Sequence, residues 1–64
     1  MLTINGKKVV ADGITLNNYL TQAGYQKERV AVELNGSIIP HSAYEQTRLT
    51  DNDKIEIVQF VGGG

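Results

Sequence analysis

Gly62, Gly63 and Gly64 follow a strand-like run and close the sequence. Glycine loses more conformational freedom on ordering than any other residue, so this run is expected to be a mobile tail free of side-chain bulk. Extended, three residues reach roughly 10 Å and could thread a narrow channel in a partner. At the tip stands the carboxylate of Gly64. A carboxylate is a poor electrophile. Joined to AMP by reaction with ATP it becomes a good one, and an unhindered glycine carbonyl can then accept a sulfur or nitrogen nucleophile. The chemistry open to these residues is acyl activation at the last backbone carbonyl. The competing reading is that chain ends fray and terminal glycines carry no role.

The remaining candidates are weaker. His41 is the one side chain that titrates near neutrality unaided. It follows Pro40 with no evident partner for acid–base work, so a solvated loop residue is expected. Asp51 and Asp53 suggest a calcium loop, but such a loop needs glycine at its sixth position and glutamate at its twelfth. Counted from Asp51, those places hold Glu56 and Gly62, so a solvated turn is expected. Asn35-Gly36-Ser37 matches a glycosylation triplet and reads better as a hairpin turn. The terminal glycines lack the following helix that a phosphate-binding loop requires. No catalytic residue and no metal ligand is expected in this chain, and no bound cofactor.

Composition points the same way. Sixty-four residues make one small domain that buries roughly 60% of the surface its unfolded chain exposes, with no room for both a core and a deep substrate cavity. There is no cysteine, hence no disulfide and no thiolate metal site. The start, MLTINGKKVV, lacks the pattern of a secretion signal, and no apolar run is long enough to span a bilayer. The expected location is the cytoplasm. With net charge −1 and scattered basic residues, the chain has no basic stripe for nucleic acid.

The elements that must position the tail are legible from pattern. Leu2-Thr3-Ile4 alternates, Asn5-Gly6 is a strong hairpin signal, and Lys8 to Ala11 reads as the return strand. Leu16, Tyr19, Leu20 and Ala23 fall at helical spacing, with Thr15 as N-cap and Gly24 as the residue that ends the helix. Residues 30–34 alternate again, and a second Asn-Gly turns the chain into Ile38-Ile39, which Pro40 terminates. Residues 42–47 read as a loop or single helical turn with Tyr44 inward, Arg48-Leu49 as a short strand, and residues 54–60 as the last and longest strand. This order predicts an α+β, β-grasp (ubiquitin-like) fold: a mixed sheet of four to five strands, one main helix on one face, and the first strand parallel to the last. The domain is expected to span residues 1–61 and the glycine tail residues 62–64.

In the last strand Ile55 and Ile57 share the expected core face, which puts Glu56, Val58 and Phe60 on the other. Two apolar side chains on an open face beside a mobile tail suggest a docking patch. The alternative is a slip near the strand end that tucks Phe60 into the core.

The stretches VAVELNG (30–36), IIP (38–40), Asp51–Asp53 before IEIV (55–58), and the closing FVGGG resemble the ThiS family over essentially the whole chain. These are the ubiquitin-like sulfur carriers of thiamine biosynthesis. The resemblance implies that Gly64 is adenylated by a ThiF-type adenylyltransferase using ATP and magnesium, then converted to a thiocarboxylate. The sulfur would come from cysteine through a cysteine desulfurase, and a ThiG-type thiazole synthase would receive it. It further implies that Gly62 and Gly63 thread the partner's channel while Phe60 and Val61, beside Val58, dock at its mouth. His41 and Tyr44 stand where family members often carry arginine and tryptophan. A chain without cysteine offers a thiocarboxylate no internal thiol for exchange. Two other readings use the same end group: a carrier like the small subunit of molybdopterin synthase, and a ubiquitin-like protein modifier. A fourth is a β-grasp interaction module with an inert tail.

Overall fold

The computed structural model describes residues 1–11 and 13–60; Asp12, Val61, Gly62, Gly63 and Gly64 lie outside the described residues, and with them the expected tail. The chain opens with a hairpin of β1 (Leu2–Ile4) and β2 (Lys7–Val9). Asn5 and Gly6 both take positive φ, 52° and 82°, as a two-residue hairpin turn requires. β2 is shorter than expected. Leu2 pairs with Val9, so β1 has no residue left to hold Val10 and Ala11, and Val10 is exposed.

The helix α1 (Leu16–Gln22) is set at both ends by local chemistry. The Thr15 hydroxyl accepts the Asn18 N–H at 3.1 Å, satisfying a donor that the first turn leaves free. At the other end Gly24 takes φ +87°. Its N–H donates to the Thr21 carbonyl and the Tyr25 N–H to the Leu20 carbonyl, the paired bonds of a glycine-ended helix. Leu16 and Leu20 are buried. Ala23, expected on the same face, is exposed, because the helix ends at Gln22 and Ala23 is its cap.

A 3-10 turn (Lys27–Arg29) leads into β3 (Val30–Leu34), and Asn35-Gly36 reverses the chain into β4 (Ser37–Ile39). A second 3-10 turn (His41–Ala43) drops Tyr44 into the core. Arg48-Leu49 does not form a strand. It makes a single bridge to Thr15, and residues 47 and 49 hydrogen-bond to residues 16 and 14 at the entry to α1, with Leu49 fully buried.

The last strand, β5 (Lys54–Gln59), takes the centre of a five-stranded sheet ordered β2-β1-β5-β3-β4. β1 runs parallel to β5 and the other pairs are antiparallel. One mixed sheet with one main helix, first strand beside last, is the β-grasp expected from the sequence. Leu16 and Leu20 of α1 share one core with Leu2, Ile4, Val30, Val32, Ile55 and Ile57, closed off by Tyr44 and Leu49. Truncating one such side chain to alanine costs about 2–5 kcal/mol, most of the stability a domain this small has.

Candidate functional site

β5 is the element that leads to residues 61–64, and its two faces differ. Ile55 and Ile57 point into the core, while Val58 and Phe60 are 57% and 56% exposed. The alternative that Phe60 tucks into the core does not hold. Its N–H donates to the Arg29 carbonyl at 2.8 Å, which keeps residue 60 aligned with the sheet and its ring in solvent. An exposed phenylalanine beside an exposed valine is an unfavourable surface unless something covers it.

Both Asn-Gly turns fasten this strand. The Asn5 backbone N–H donates to the Ile55 carbonyl at 2.9 Å. Its carboxamide accepts the Ile57 N–H at 2.7 Å and donates to the Ile57 carbonyl at 3.2 Å. On the other side, the Asn35 N–H donates to the Lys54 carbonyl and its side-chain oxygen accepts the Lys54 N–H, each at 2.8 Å. The sequence identified these asparagines only as turn formers. Their second role has a signal in retrospect: asparagine tolerates positive φ and also carries a donor and an acceptor, so it can extend a ladder past the end of its own strand.

The acidic turn before β5 is occupied by the chain itself. Asp53 accepts from the Thr50 N–H and hydroxyl at 2.8 and 2.9 Å and from the Asn35 side chain at 3.0 Å. Partial burial pushes its carboxyl pKa up, but the bonds from Asn35 and Thr50 outweigh that and hold it below the ordinary 3.8. Asp51 pairs with the N-terminal ammonium of Met1. No group of His, Asp or Glu side chains among the described residues is arranged to hold a metal ion.

His41 is exposed, as expected of a solvated residue, but it is not partnerless. Its Nε2 lies 3.0 Å from the Val30 carbonyl and its ring is tilted against Tyr44, centroids 5.1 Å apart. With Nε2 donating to the backbone, the imidazole clips the β4 exit to the start of β3. The Tyr44 hydroxyl beneath it is buried without a hydrogen-bond partner among the described residues, and burial raises its pKa above 10.0.

The site residues therefore divide. Val58 and Phe60 are displayed at the end of a firmly held central strand. Val61, Gly62, Gly63 and Gly64 lie outside the described residues. No helix among the described residues is long and apolar enough to cross a membrane.

Comparison with known proteins adds the following. The model of the ThiS family matches residues 2–64. The sulfur carrier protein ThiS of Bacillus subtilis is 42% identical over 66 residues, covering 100% of both chains. The crystal structure of the thiamine biosynthesis protein ThiS from Geobacter metallireducens superposes with a TM-score of 0.80 at 37% identity, covering 98% of this chain and 97% of that one. A thiazole synthase of Paramagnetospirillum magneticum is 42% identical over 64 residues; this chain spans only 20% of its length.

Proposed function

This chain belongs to the ThiS family of sulfur carriers in thiamine biosynthesis, and from that membership we propose that the Gly64 carboxylate is the group that carries the sulfur. A ThiF-type adenylyltransferase, using ATP and magnesium, joins AMP to the carboxylate and releases pyrophosphate. A persulfide whose outer sulfur a cysteine desulfurase has mobilised from cysteine displaces AMP to give an acyl disulfide. A second thiol reduces that disulfide, itself ending in a disulfide with the donor sulfur, and releases the thiocarboxylate from which a thiazole synthase takes the sulfur. The chain acts in the cytoplasm as a protein co-substrate. It supplies no catalytic side chain and binds no cofactor of its own. Gly62 and Gly63 fit the partner's channel, and Val58, Phe60 and Val61 rest at its mouth.

One observation carries this reading: the family match runs through residue 64, so the glycine end belongs to what is shared. Two features support it. Val58 and Phe60 face outward in the strand that leads to the tail. Thiazole synthases of Paramagnetospirillum magneticum and Magnetococcus marinus contain a segment like this chain, which spans about a fifth of each, as expected of a carrier and acceptor that work together.

Intact mass spectrometry tests the proposal. After incubation with ATP, the adenylyltransferase and a sulfide source, the chain should gain the mass difference between sulfur and oxygen. A chain lacking Gly64 should gain nothing. Adducts on target lysines in place of that gain would point to a protein modifier, and an unchanged wild-type mass would overturn the reading.

A further inference from the structure

The open face of the sheet is banded, and strand register fixes the bands. Leu2, Ile4, Val32, Ile55 and Ile57 face the core, so alternation puts their neighbours on the other side. Nearest the start of β5 lies a basic row, with Thr3 opposite both Lys8 and Lys54. Next comes an acidic row, Glu56 directly opposite Glu33, with exposed Ile38 opposite Glu33 on β4. Beyond it is an apolar row of Val58 opposite Ala31, and then exposed Phe60.

The Glu33–Glu56 pair is the anomaly. Directly opposed residues hold their Cβ atoms about 4.5–5.5 Å apart, and like charges there destabilise the sheet. Neither carboxylate has an ion-pair partner among the described residues. The free chain thus keeps two adjacent negative charges beside its exposed apolar patch and on the strand that leads to the tail.

We propose that this face docks the protein partner that receives the tail, and that Glu33 and Glu56 together seat one cationic side chain, arginine or lysine, of that partner, while Val58 and Ile38 meet apolar surface around it. The proposal rests on the sulfur-carrier reading for what the tail is doing there. Charge complementarity selects the occupant. A second copy of this chain could offer Lys8 and Lys54, but turning one face over so that its basic row meets the other's acidic row leaves Val58 against the Asp51–Asp53 turn. A separate partner with a cation set in apolar surface satisfies both rows at once. Binding relieves the repulsion, so the same two residues weaken the free sheet and strengthen the complex.

The test uses Glu33→Gln, Glu56→Gln and the double variant in the full chain. Affinity for the adenylyltransferase and for the thiazole synthase is measured by calorimetry at low and high salt. Each single change should weaken binding to at least one of them about tenfold and flatten its salt dependence. The double variant should lose less than the product of the two effects, because one cation is shared. In the same variants the denaturant midpoint of the free chain should rise. Wild-type affinity and salt dependence for both partners would overturn the proposal. So would sedimentation showing a wild-type dimer that the glutamine variants dissolve. If wild type gains sulfur while the variants bind normally, the docking seat alone is wrong; if wild type gains none, the carrier reading itself has failed.

Discussion

Asn5 and Ile57 are joined twice: the Asn5 carboxamide takes the Ile57 N–H at 2.7 Å and gives a hydrogen bond to its carbonyl at 3.2 Å. β1 ends at Ile4, so a turn side chain stands in for the missing next residues of that strand. The central strand is thereby paired almost to the point where Val58 and Phe60 turn outward.

Replacing Asn5 with alanine should remove both bonds, at about 0.5–1.5 kcal/mol each, and should put at φ 52° a residue that tolerates the left-handed region less well than asparagine, which costs roughly 1 kcal/mol more. The expected loss is about 2–4 kcal/mol in urea unfolding. Asn5→Gly, which keeps the turn but not the bonds, should lose less.

Tyr44 should respond in two opposite ways. Its ring is buried and its hydroxyl has no hydrogen-bond partner among the described residues. Tyr44→Phe removes a desolvated polar atom and should be neutral or stabilising by up to about 1 kcal/mol. Tyr44→Ala opens a cavity and should cost about 3–5 kcal/mol. Thermal unfolding of the two variants separates the ring from the hydroxyl.

Asp53 should make stability acid-sensitive. Its folded-state pKa lies below the ordinary 3.8 because Asn35 and Thr50 donate to the carboxylate, despite the opposing effect of burial. The stabilisation is therefore present above the ordinary value and lost as pH falls through the folded one. Urea midpoints should drop between neutral pH and about pH 3. Asp53→Asn should be less stable at neutral pH and should show a shallower drop.

Phe60 should matter to partners and not to the fold. At 56% exposure, Phe60→Ser should change stability by no more than about 0.5 kcal/mol. Affinity for the adenylyltransferase or the thiazole synthase should fall at least about tenfold, as loss of an aromatic anchor does. Unfolding and binding measured on one preparation check both halves.

The residues differ in how openly the sequence declares them. Asn5-Gly6, Asn35-Gly36, Thr15 and Gly24 each announce a turn or cap because only a few residue types suit those backbone conformations, and the structure places all of them as expected. The alternation of residues 55–58 likewise yields the correct faces. What stayed hidden depends on distant partners. Val10 and Ala11 look like strand, but pairing is decided by where β1 starts. Arg48-Leu49 looks like strand, but its neighbour is the helix entry. His41 finds the Val30 carbonyl only after β4 folds back on β3. The Glu33–Glu56 opposition requires the register of two strands far apart in sequence.

The parallel contact between β1 and β5 has a consequence during synthesis. The sheet's middle position is filled by residues 54–59, so a nascent chain holds a gap between its earlier strands until those residues have left the ribosome. A product terminated before residue 54 would lack its keystone strand, and proteases would find it unfolded. Abortive fragments should therefore be cleared before they accumulate beside finished chains.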